Sequence, residues 1–502
     1  MLRILGSTRT LCDGLTRRDL LQAGSLGMCG LGLSDLWRLQ AAERESAHPL
    51  AESTFGRAKR VILLYLYGAA AQHELYDLKP EAPAEIAGKF RPIDTTVPGI
   101  QICEHLPRLA QVADRCTFIR SMTHPYNIHS AAYTLTGVDQ VDIPMELGPY
   151  DSRHWPFFGS VLDYLTRRAD PQAALPAVPR NIALPFQFSS RSPEFTRGGP
   201  YGGFLGRAYN PVWTEFEGKA TRTVFRWRGN ADREVEDYYA GITPESSFTL
   251  SKAAQLPREV TLDRLARRRD LLEQFDSQRR TLDRSPQTRS LDRFQEMAYS
   301  LMTSTRIRDA LDLRAEPAGL RERYGMTLFG QATLAGRRLL EAGSTCVTVI
   351  WDEIATANSA WDTHFNHFER LENELLPGLD RALSALILDL EERGMLDETL
   401  VLCLTEHGRT PKLSSTLRGA GREHWSNVYC NLLAGGGVSR GKVIGSSDAQ
   451  GAFVKDDPVS PKDILCTLYY LLGIDPETTI PDRLGRPMRL VSEGEVLHSL
   501  LG

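Results

Sequence analysis

The 502-residue chain lacks an excess of basic residues: 59 Lys and Arg face 63 Asp and Glu, so the formal net charge is −4. Proteins that bind nucleic acid need a basic surface to neutralise phosphates, and this balance therefore argues against nucleic acid as a partner. Beyond the N-terminal segment, the sequence also lacks an unbroken apolar run of the length that a membrane-spanning helix requires. Since 42% of its residues are hydrophobic, the chain can bury a substantial core, and we expect one large domain or two ordinary ones.

Paired cysteines are also missing. The chain has eight Cys, but none are arranged as the CxxC pairs that mark thiolate zinc sites. Several of them fall inside apolar segments, which is typical of buried structural thiols and argues against a disulfide framework. The sequence therefore gives no reason to place a metal on sulfur ligands.

The N-terminal segment carries Arg17 and Arg18, followed by Leu20 and a short apolar, Gly-rich run at 23–33. This pattern resembles a twin-arginine export signal. We expect residues 1–45 to be that signal with its linker, and the protein to be exported to the periplasm or the cell exterior. The alternative is an ordinary amphipathic helix that happens to hold an Arg pair.

Short runs of apolar and β-branched residues, closed by Gly or Pro, predict buried strands. They lie at 60–67, 116–120, 345–350, 399–405 and 429–434. A Leu stripe predicts a helix at 367–393, ended by Gly394. Strands that alternate with helices predict an α/β fold with a mainly parallel sheet covered on both faces. We expect one domain over 46–502, with an irregular and helical insertion at about 176–342.

Ionisable residues follow several of the predicted strands. Glu406 and His407 end the 399–405 run, and ligands in open α/β sheets bind just beyond the carboxyl ends of strands. Ionisable groups in such a buried place cost free energy unless they are paired or ligated. The predicted metal ligands are Asp77, Asp362, His364, Glu406, His407 and His424.

Each of the other ligands has a second interpretation. Asp362 could instead cap the following helix, and Asp77 could be a turn residue before Lys79. His424 could pair with Glu423 or stack on a neighbouring Trp. His73, His129 and His367 are expected to be surface residues or to lie outside the ligand shell.

A mixed set of carboxylates and imidazoles suits one or two divalent ions, and zinc, calcium, magnesium and manganese all stay open. Two ions can clamp the attacking and leaving oxygens of a phosphoryl or sulfuryl transfer. Ser130 is the predicted nucleophile, although it could instead cap a helix. Arg409 is predicted to steady the anionic group, and the alternative is an ion pair with Glu406.

Several motifs together resemble the domain of unknown function 1501 family: WDTH at 361–364, EHGRTP at 406–411, and REHWSNVYCNLLAGGGVSRG at 422–441. The resemblance covers nearly all of the chain after the leader. The family is usually grouped with the alkaline-phosphatase-like and sulfatase-like superfamily. The resemblance implies a three-layer αβα sandwich and a metal site, with Glu406 in the position of a superfamily Asp ligand.

The chain departs from these patterns in two places. Ala71 stands where the family often has Ser, and the Cys/Ser-x-Pro-x-Arg motif that sulfatases convert to formylglycine is not found after the second predicted strand. Our leading hypothesis is an exported, metal-dependent hydrolase of phosphate or sulfate esters, with an anionic ester, such as a sulfated or phosphorylated glycan, as substrate. The alternatives are a non-catalytic exported protein that binds a metal or a glycan, and a metal-dependent mutase or transferase.

Overall fold

The computed structural model describes residues 54–139, 146, 148–170, 176–192, 196–228, 231–250, 301, 304–354, 359–414 and 419–502. The predicted export signal lies outside the described residues. Residues Gly56–Gly502 form one compact unit. No described helix combines the length and the apolar character needed to cross a membrane.

A nine-stranded sheet forms the centre of this unit. Its strands are β1 Arg60–Tyr65, β2 Cys116–Met122, β3 Asn181–Leu184, β4 Val212–Glu217, β5 Ser247–Leu250, β6 Cys346–Ile350, β7 Thr399–Leu404, β8 Tyr429–Ala434 and β9 Lys442–Ile444. They lie in the order β9-β2-β8-β7-β1-β6-β3-β4-β5. All run in one direction except β8 and β5, which are antiparallel to their neighbours. The prediction of a mainly parallel sheet is confirmed.

Helices cover both faces of the sheet. The described α-helices are α1 Ala84–Ala87, α2 Pro107–Ala110, α3 Ala131–Thr136, α4 Phe158–Ala169, α5 Thr305–Leu311, α6 Ala318–Tyr324, α7 Leu328–Glu341, α8 His367–Arg370, α9 Leu376–Glu392 and α10 Pro461–Leu471. Successive side chains of β1 enter opposite cores, as the pleat of a strand requires. Ile62 and Leu64 pack with α7 and α9, whereas Val61 and Leu63 pack with α3, α4 and α10. This is the expected three-layer αβα sandwich.

The Leu-striped segment at 367–393 is helical, as predicted, but it is not one regular helix. A π-helical turn at Leu371–Leu375 separates α8 from α9. Pro377 follows this turn, at the start of α9. Gly394 follows with φ of +65°, the left-handed conformation that ends many helices.

The stretch at 176–342 is more closely built into the fold than an insertion would be. Its strands β3 and β4 extend the central sheet in parallel beyond β6, and α7 packs on that sheet. The sequence did not indicate this because β3 has only four residues, all buried, and so shows no alternation of apolar and polar positions. Residues 251–300 lie outside the described part of the chain.

Candidate metal centre

The site lies beyond the carboxyl ends of the parallel strands β1, β2, β6 and β7. Strand β7 delivers Glu406 and His407, and the chain then forms a short antiparallel ribbon in which Arg409 pairs with His424. This ribbon returns His424 to the side of His407, so residues far apart in sequence become neighbours. The loop after β6 carries Asp362 and His364, and the loop after β2 carries His129.

Four imidazoles meet at this edge of the sheet, and we call His129, His364, His407 and His424 the histidine cluster. The ring centres of His129 and His424 are 4.2 Å apart, and those of His407 and His424 are 4.7 Å apart. The His364 ring lies 4.9 Å from that of His424. Potential ligand atoms of His129, His407 and His424 all lie within 4.8 Å of one another, as do those of Asp362, His364 and His424.

Three of the rings are held in the same way, through Nδ1. His129 Nδ1 donates to Glu406 Oε1 at 2.8 Å, and His407 Nδ1 donates to the carbonyl oxygen of Gly408 at 2.8 Å. His364 Nδ1 lies 2.7 Å from a carboxylate oxygen of Glu423. Metal-binding histidines are commonly fixed by such a partner on the second nitrogen, which leaves Nε2 free as the ligand atom.

The Nε2 atoms differ in their partners, and Arg409 Nη1 lies 3.3 Å from His364 Nε2. His407 is fully buried, and its Nε2 has no hydrogen-bond partner among the described residues. His364 Nε2 and His424 Nε2 face each other at 3.1 Å. Two imidazole lone pairs at this distance repel unless a proton or a cation lies between them. The donor set therefore fits a bound divalent metal, and its nitrogen content favours a transition metal over calcium or magnesium.

The carboxylate of Asp362 lies beside the histidine cluster. Its Oδ1 lies 2.9 Å from His364 Nε2 and 3.6 Å from both His129 Nε2 and His424 Nε2. Burial disfavours its charge, but Arg409 and His129 hold the pKa of the Asp362 carboxyl well below its ordinary value. Asp362 is therefore ionised near neutral pH and available to a cation.

The charges of the cluster differ from ring to ring. Burial works against protonation of His129, but Asp362 and Glu406 outweigh it and raise its pKa to about 9. Burial, together with His129 and His424, lowers the pKa of His407 well below its ordinary value. The His407 ring is thus neutral near pH 7, whereas a metal that bound at His129 would have to displace a proton.

Glu406 lies at the site, but one of its carboxylate oxygens is occupied as a hydrogen-bond acceptor. Its Oε1 accepts hydrogen bonds from His129 Nδ1 and, at 2.7 Å, from the backbone N–H of Gly68. Gly68 has φ of +105°, and a Cβ there would lie 2.3 Å from Asp362 N, so only Gly fits where the two loops meet. Glu406 therefore orients His129 and joins the loop after β1 to the site.

Arg409 has a different role from the predicted one. Its Nε donates to Ala69 O at 3.0 Å, its Nη1 donates to Arg422 O at 3.1 Å, and its Nη2 donates to Gly68 O and to Asp362. Each guanidinium nitrogen is thus engaged, and the side chain is fully buried. The residue pairs with Asp362 rather than Glu406, and it holds loops together instead of presenting a free fork to an anion.

Two other predicted site residues are engaged elsewhere. Asp77 pairs with Lys79 at 2.9 Å and accepts a hydrogen bond from Ser447, so it is held in its own turn and is not part of the metal-binding groups found among the described residues. The Ser130 Oγ caps α3 by accepting a hydrogen bond from Tyr133 N at 3.1 Å. Both match the alternative interpretation, and the role of Ser130 as nucleophile stays a prediction without geometric support.

His129 is the functional residue that sequence reasoning placed outside the ligand shell, yet it lies at the middle of the cluster. The signal for it was weak, because His129 lies in the loop after β2 but farther from the strand end than His407 lies from the end of β7. His367, in contrast, is buried beside Glu74, with its Nε2 3.4 Å from a Glu74 oxygen and its Nδ1 bonded to Thr363. Histidine count and position alone did not separate these two.

The family model described as "Protein of unknown function (DUF1501)" matches residues 58–501. The chain belongs to this family. A search of curated proteins found no match.

Comparison with solved structures aligns the chain with several proteins at low similarity. The lipoteichoic acid synthase LtaP from Listeria monocytogenes is 12% identical, with a TM-score of 0.35, over 84% of this chain and 74% of that chain. The PsFucS1 sulfatase from Pseudoalteromonas sp. is 11% identical, with a TM-score of 0.34, over 85% and 71%. Ps i-CgsB, in complex with k-i-k-neocarrahexaose, is 11% identical, with a TM-score of 0.37, over 83% and 72%. Scores this low carry no argument about activity.

Proposed function

We propose that this protein is a metal-dependent hydrolase of phosphate or sulfate esters. The observation that carries the proposal is the convergence of four imidazoles and Asp362, with facing Nε2 atoms, at the carboxyl edge of the sheet. His424 belongs to both groups of potential ligands, so the geometry supports one ion or two that share it. The motif resemblance to alkaline-phosphatase-like enzymes, with His407 next to a strand-end carboxylate, agrees with this chemistry.

The protein residues would divide the work as follows. His129, His407 and His424 would hold one ion, and Asp362, His364 and His424 would hold a second. Glu406 would fix the ring of His129 through Nδ1. A bound divalent ion supplies charge for the developing oxyanion and lowers the pKa of water. Because the Ser130 hydroxyl caps a helix and Ala71 has none, we propose water as the nucleophile.

The first experiment is metal analysis of the purified protein, followed by turnover of aryl phosphate and aryl sulfate esters after loading with zinc, manganese, magnesium or calcium. We expect zinc or manganese to be retained through dialysis and to support turnover, since the donors are rich in nitrogen. A protein that retains no divalent ion under any loading condition would refute the proposal.

A second candidate is a non-catalytic metal-binding protein on the same fold. Two observations favour it: Arg409 is saturated by internal partners, and the Ser130 hydroxyl is used as a cap. The same experiment separates the two functions. Retained metal with no turnover of either ester, nor of sulfated and phosphorylated glycans offered in the same assay, would favour the binder.

We further propose that the protein is exported by the twin-arginine route, because Arg17, Arg18 and Leu20 precede a short apolar run. The test is fractionation of cells that express the full chain or its Arg17→Lys, Arg18→Lys double variant. The wild-type protein is expected outside the cytoplasm and the variant inside it. Equal distribution of the two would contradict export by this route.

A further inference from the structure

Tyr67 follows β1 at the carboxyl edge of the sheet and borders the histidine cluster. Its ring centre is 5.6 Å from that of His129 and 4.9 Å from that of Phe188, which comes from the predicted insertion. The backbone carbonyl of Tyr67 accepts a hydrogen bond from Trp361 N at 2.9 Å, next to Asp362. The side chain is therefore fixed between the loop that carries His129 and the loop that carries Asp362.

The Tyr67 hydroxyl is buried but has no hydrogen-bond partner among the described residues. The residue is 1% exposed. Tyr65, two positions earlier on the same strand, shows the usual solution, since its hydroxyl bonds to Thr134 Oγ1 at 2.7 Å. A buried hydroxyl without a partner is costly and is uncommon in folded proteins, and beside the histidine cluster a bound ligand would supply the partner.

The Tyr67 hydroxyl lies among charges of both signs, because beyond the effect of burial Arg197 lowers its pKa whereas Glu353, Glu406 and Asp352 raise it. The guanidinium carbon of Arg197 lies 5.4 Å from the centre of the Tyr67 ring, and its Nε lies 3.5 Å from Glu353. Burial raises the pKa of Tyr67 well above its ordinary value, so the phenol keeps its proton and can donate it in a hydrogen bond. Hydrogen bonds to charged acceptors are stronger than those between neutral groups.

We propose that Tyr67 is a substrate-binding residue whose hydroxyl donates a hydrogen bond to a tetrahedral oxyanion, phosphate or sulfate, at the histidine cluster. This rests on the proposed function, because the cluster has to hold a metal for the anion to bind there. The Tyr67 side chain, which borders His129, would thereby add a hydrogen bond to one oxygen of the anion.

The test is isothermal titration of the metal-loaded protein with inorganic phosphate and, separately, with inorganic sulfate. In Tyr67→Phe we expect binding of the preferred anion to weaken about ten- to a hundredfold, the range for one hydrogen bond to a charged group. Metal content should stay at the wild-type level, and the unfolding temperature should not fall, because no internal hydrogen bond is lost.

Tyr76→Phe is the matched control. Its hydroxyl is also buried without a partner among the described residues, but its ring packs on Phe118 in the core. The control is expected to bind phosphate and sulfate as the wild type does. Wild-type affinity in Tyr67→Phe, an equal loss in Tyr76→Phe, or a metal-loaded wild type that binds neither anion would each overturn the inference. Metal analysis before titration separates these results from a failure of the proposed function, which would appear as absence of metal.

Discussion

The histidine cluster and the buried Glu74 group lie side by side, but their charges are satisfied in different ways. Glu74 accepts from both Nε and Nη2 of Arg422, at 3.0 and 2.6 Å, and His367 approaches its other oxygen. Burial works against the charge on Glu74, but Arg422 and His367 lower its pKa to about 2. In the histidine cluster, His364 Nε2 and His424 Nε2 face each other at 3.1 Å beside Asp362, and His407 Nε2 has no hydrogen-bond partner among the described residues.

This difference shows which buried ionic group is structural and which is a candidate site. Arg422 uses its remaining donors on backbone carbonyls, including Ile86 O at 2.8 Å, so the pair of Glu74 and Arg422 is complete without a ligand. The Nε2 atom of His407 has no hydrogen-bond partner among the described residues, and that of His367 has none either. Both groups join histidine to a carboxylate, but among the described residues only the histidine cluster brings three potential ligand atoms within 4.8 Å of one another.

The largest effect on stability should follow from disrupting the buried ion pair of Glu74 with Arg422. Glu74→Gln removes the counter-charge of the buried Arg422, and we expect the free energy of unfolding to fall by about 3–5 kcal/mol. Urea unfolding would measure it. The exposed pair of Glu372 with Lys89 provides the control, since Glu372→Gln should cost less than about 1 kcal/mol. Similar losses in both variants would contradict the structural role of Glu74.

The next effect concerns metal affinity rather than stability. His424 belongs to both groups of potential ligands and is partly exposed. His424→Ala should therefore weaken metal binding by more than about a hundredfold, which is the upper range for a change outside the ligand shell. The metal-free variant should stay folded. Competition with a metal-chelating dye would measure the change. His105→Ala, half-buried beside Phe90, is the control and should retain the metal.

A smaller loss is expected from the carboxylates that orient the rings. Glu406→Gln should weaken metal binding about ten- to a hundredfold, because the amide holds His129 less firmly than the carboxylate does. Glu423→Gln should cost less, since Glu423 is 53% exposed whereas Glu406 is fully buried. If the exposed carboxylate mattered more than the buried one, the assignment of Glu406 to His129 would be wrong.

The smallest effect is a pH dependence. The pKa of Glu74 is lowered in the folded state, so its contribution to stability is present above its ordinary pKa and is lost as pH falls through about 2. The difference in unfolding free energy between wild type and Glu74→Gln should therefore shrink by up to about 1.4 kcal/mol per pH unit below pH 4.5. Urea unfolding at pH 6, 4 and 3 would test it, and a constant difference would exclude the lowered pKa.

Much of the fold and part of the site could be predicted from local patterns. The strands at β1, β6, β7 and β8 were visible as short apolar runs, and alternation with helices gave the α/β class. Asp362, His364, His407 and His424 followed from their positions after strands or beside them. The antiparallel direction of β8 and the membership of β3 and β4 in the sheet left no local signal, because neither direction nor neighbour is written in a short apolar run.

The roles within the site could not be read from residue types. Arg409 and Glu406 are adjacent to predicted ligands, but their partners are Ala69 O, Asp362 and His129, which come from other loops. Ser130 caps α3 by accepting a hydrogen bond from the Tyr133 N–H, and its role as nucleophile stays a prediction.

The sequence by itself determined that ionisable side chains end several buried strands, since a parallel sheet places those ends at one edge. Only the tertiary structure decided which imidazoles converge on one point, because that depends on how the loops after different strands pack together. His129 became central and His367 became structural for this reason: one ring is anchored by Glu406 and faces the cluster, and the other faces Glu74.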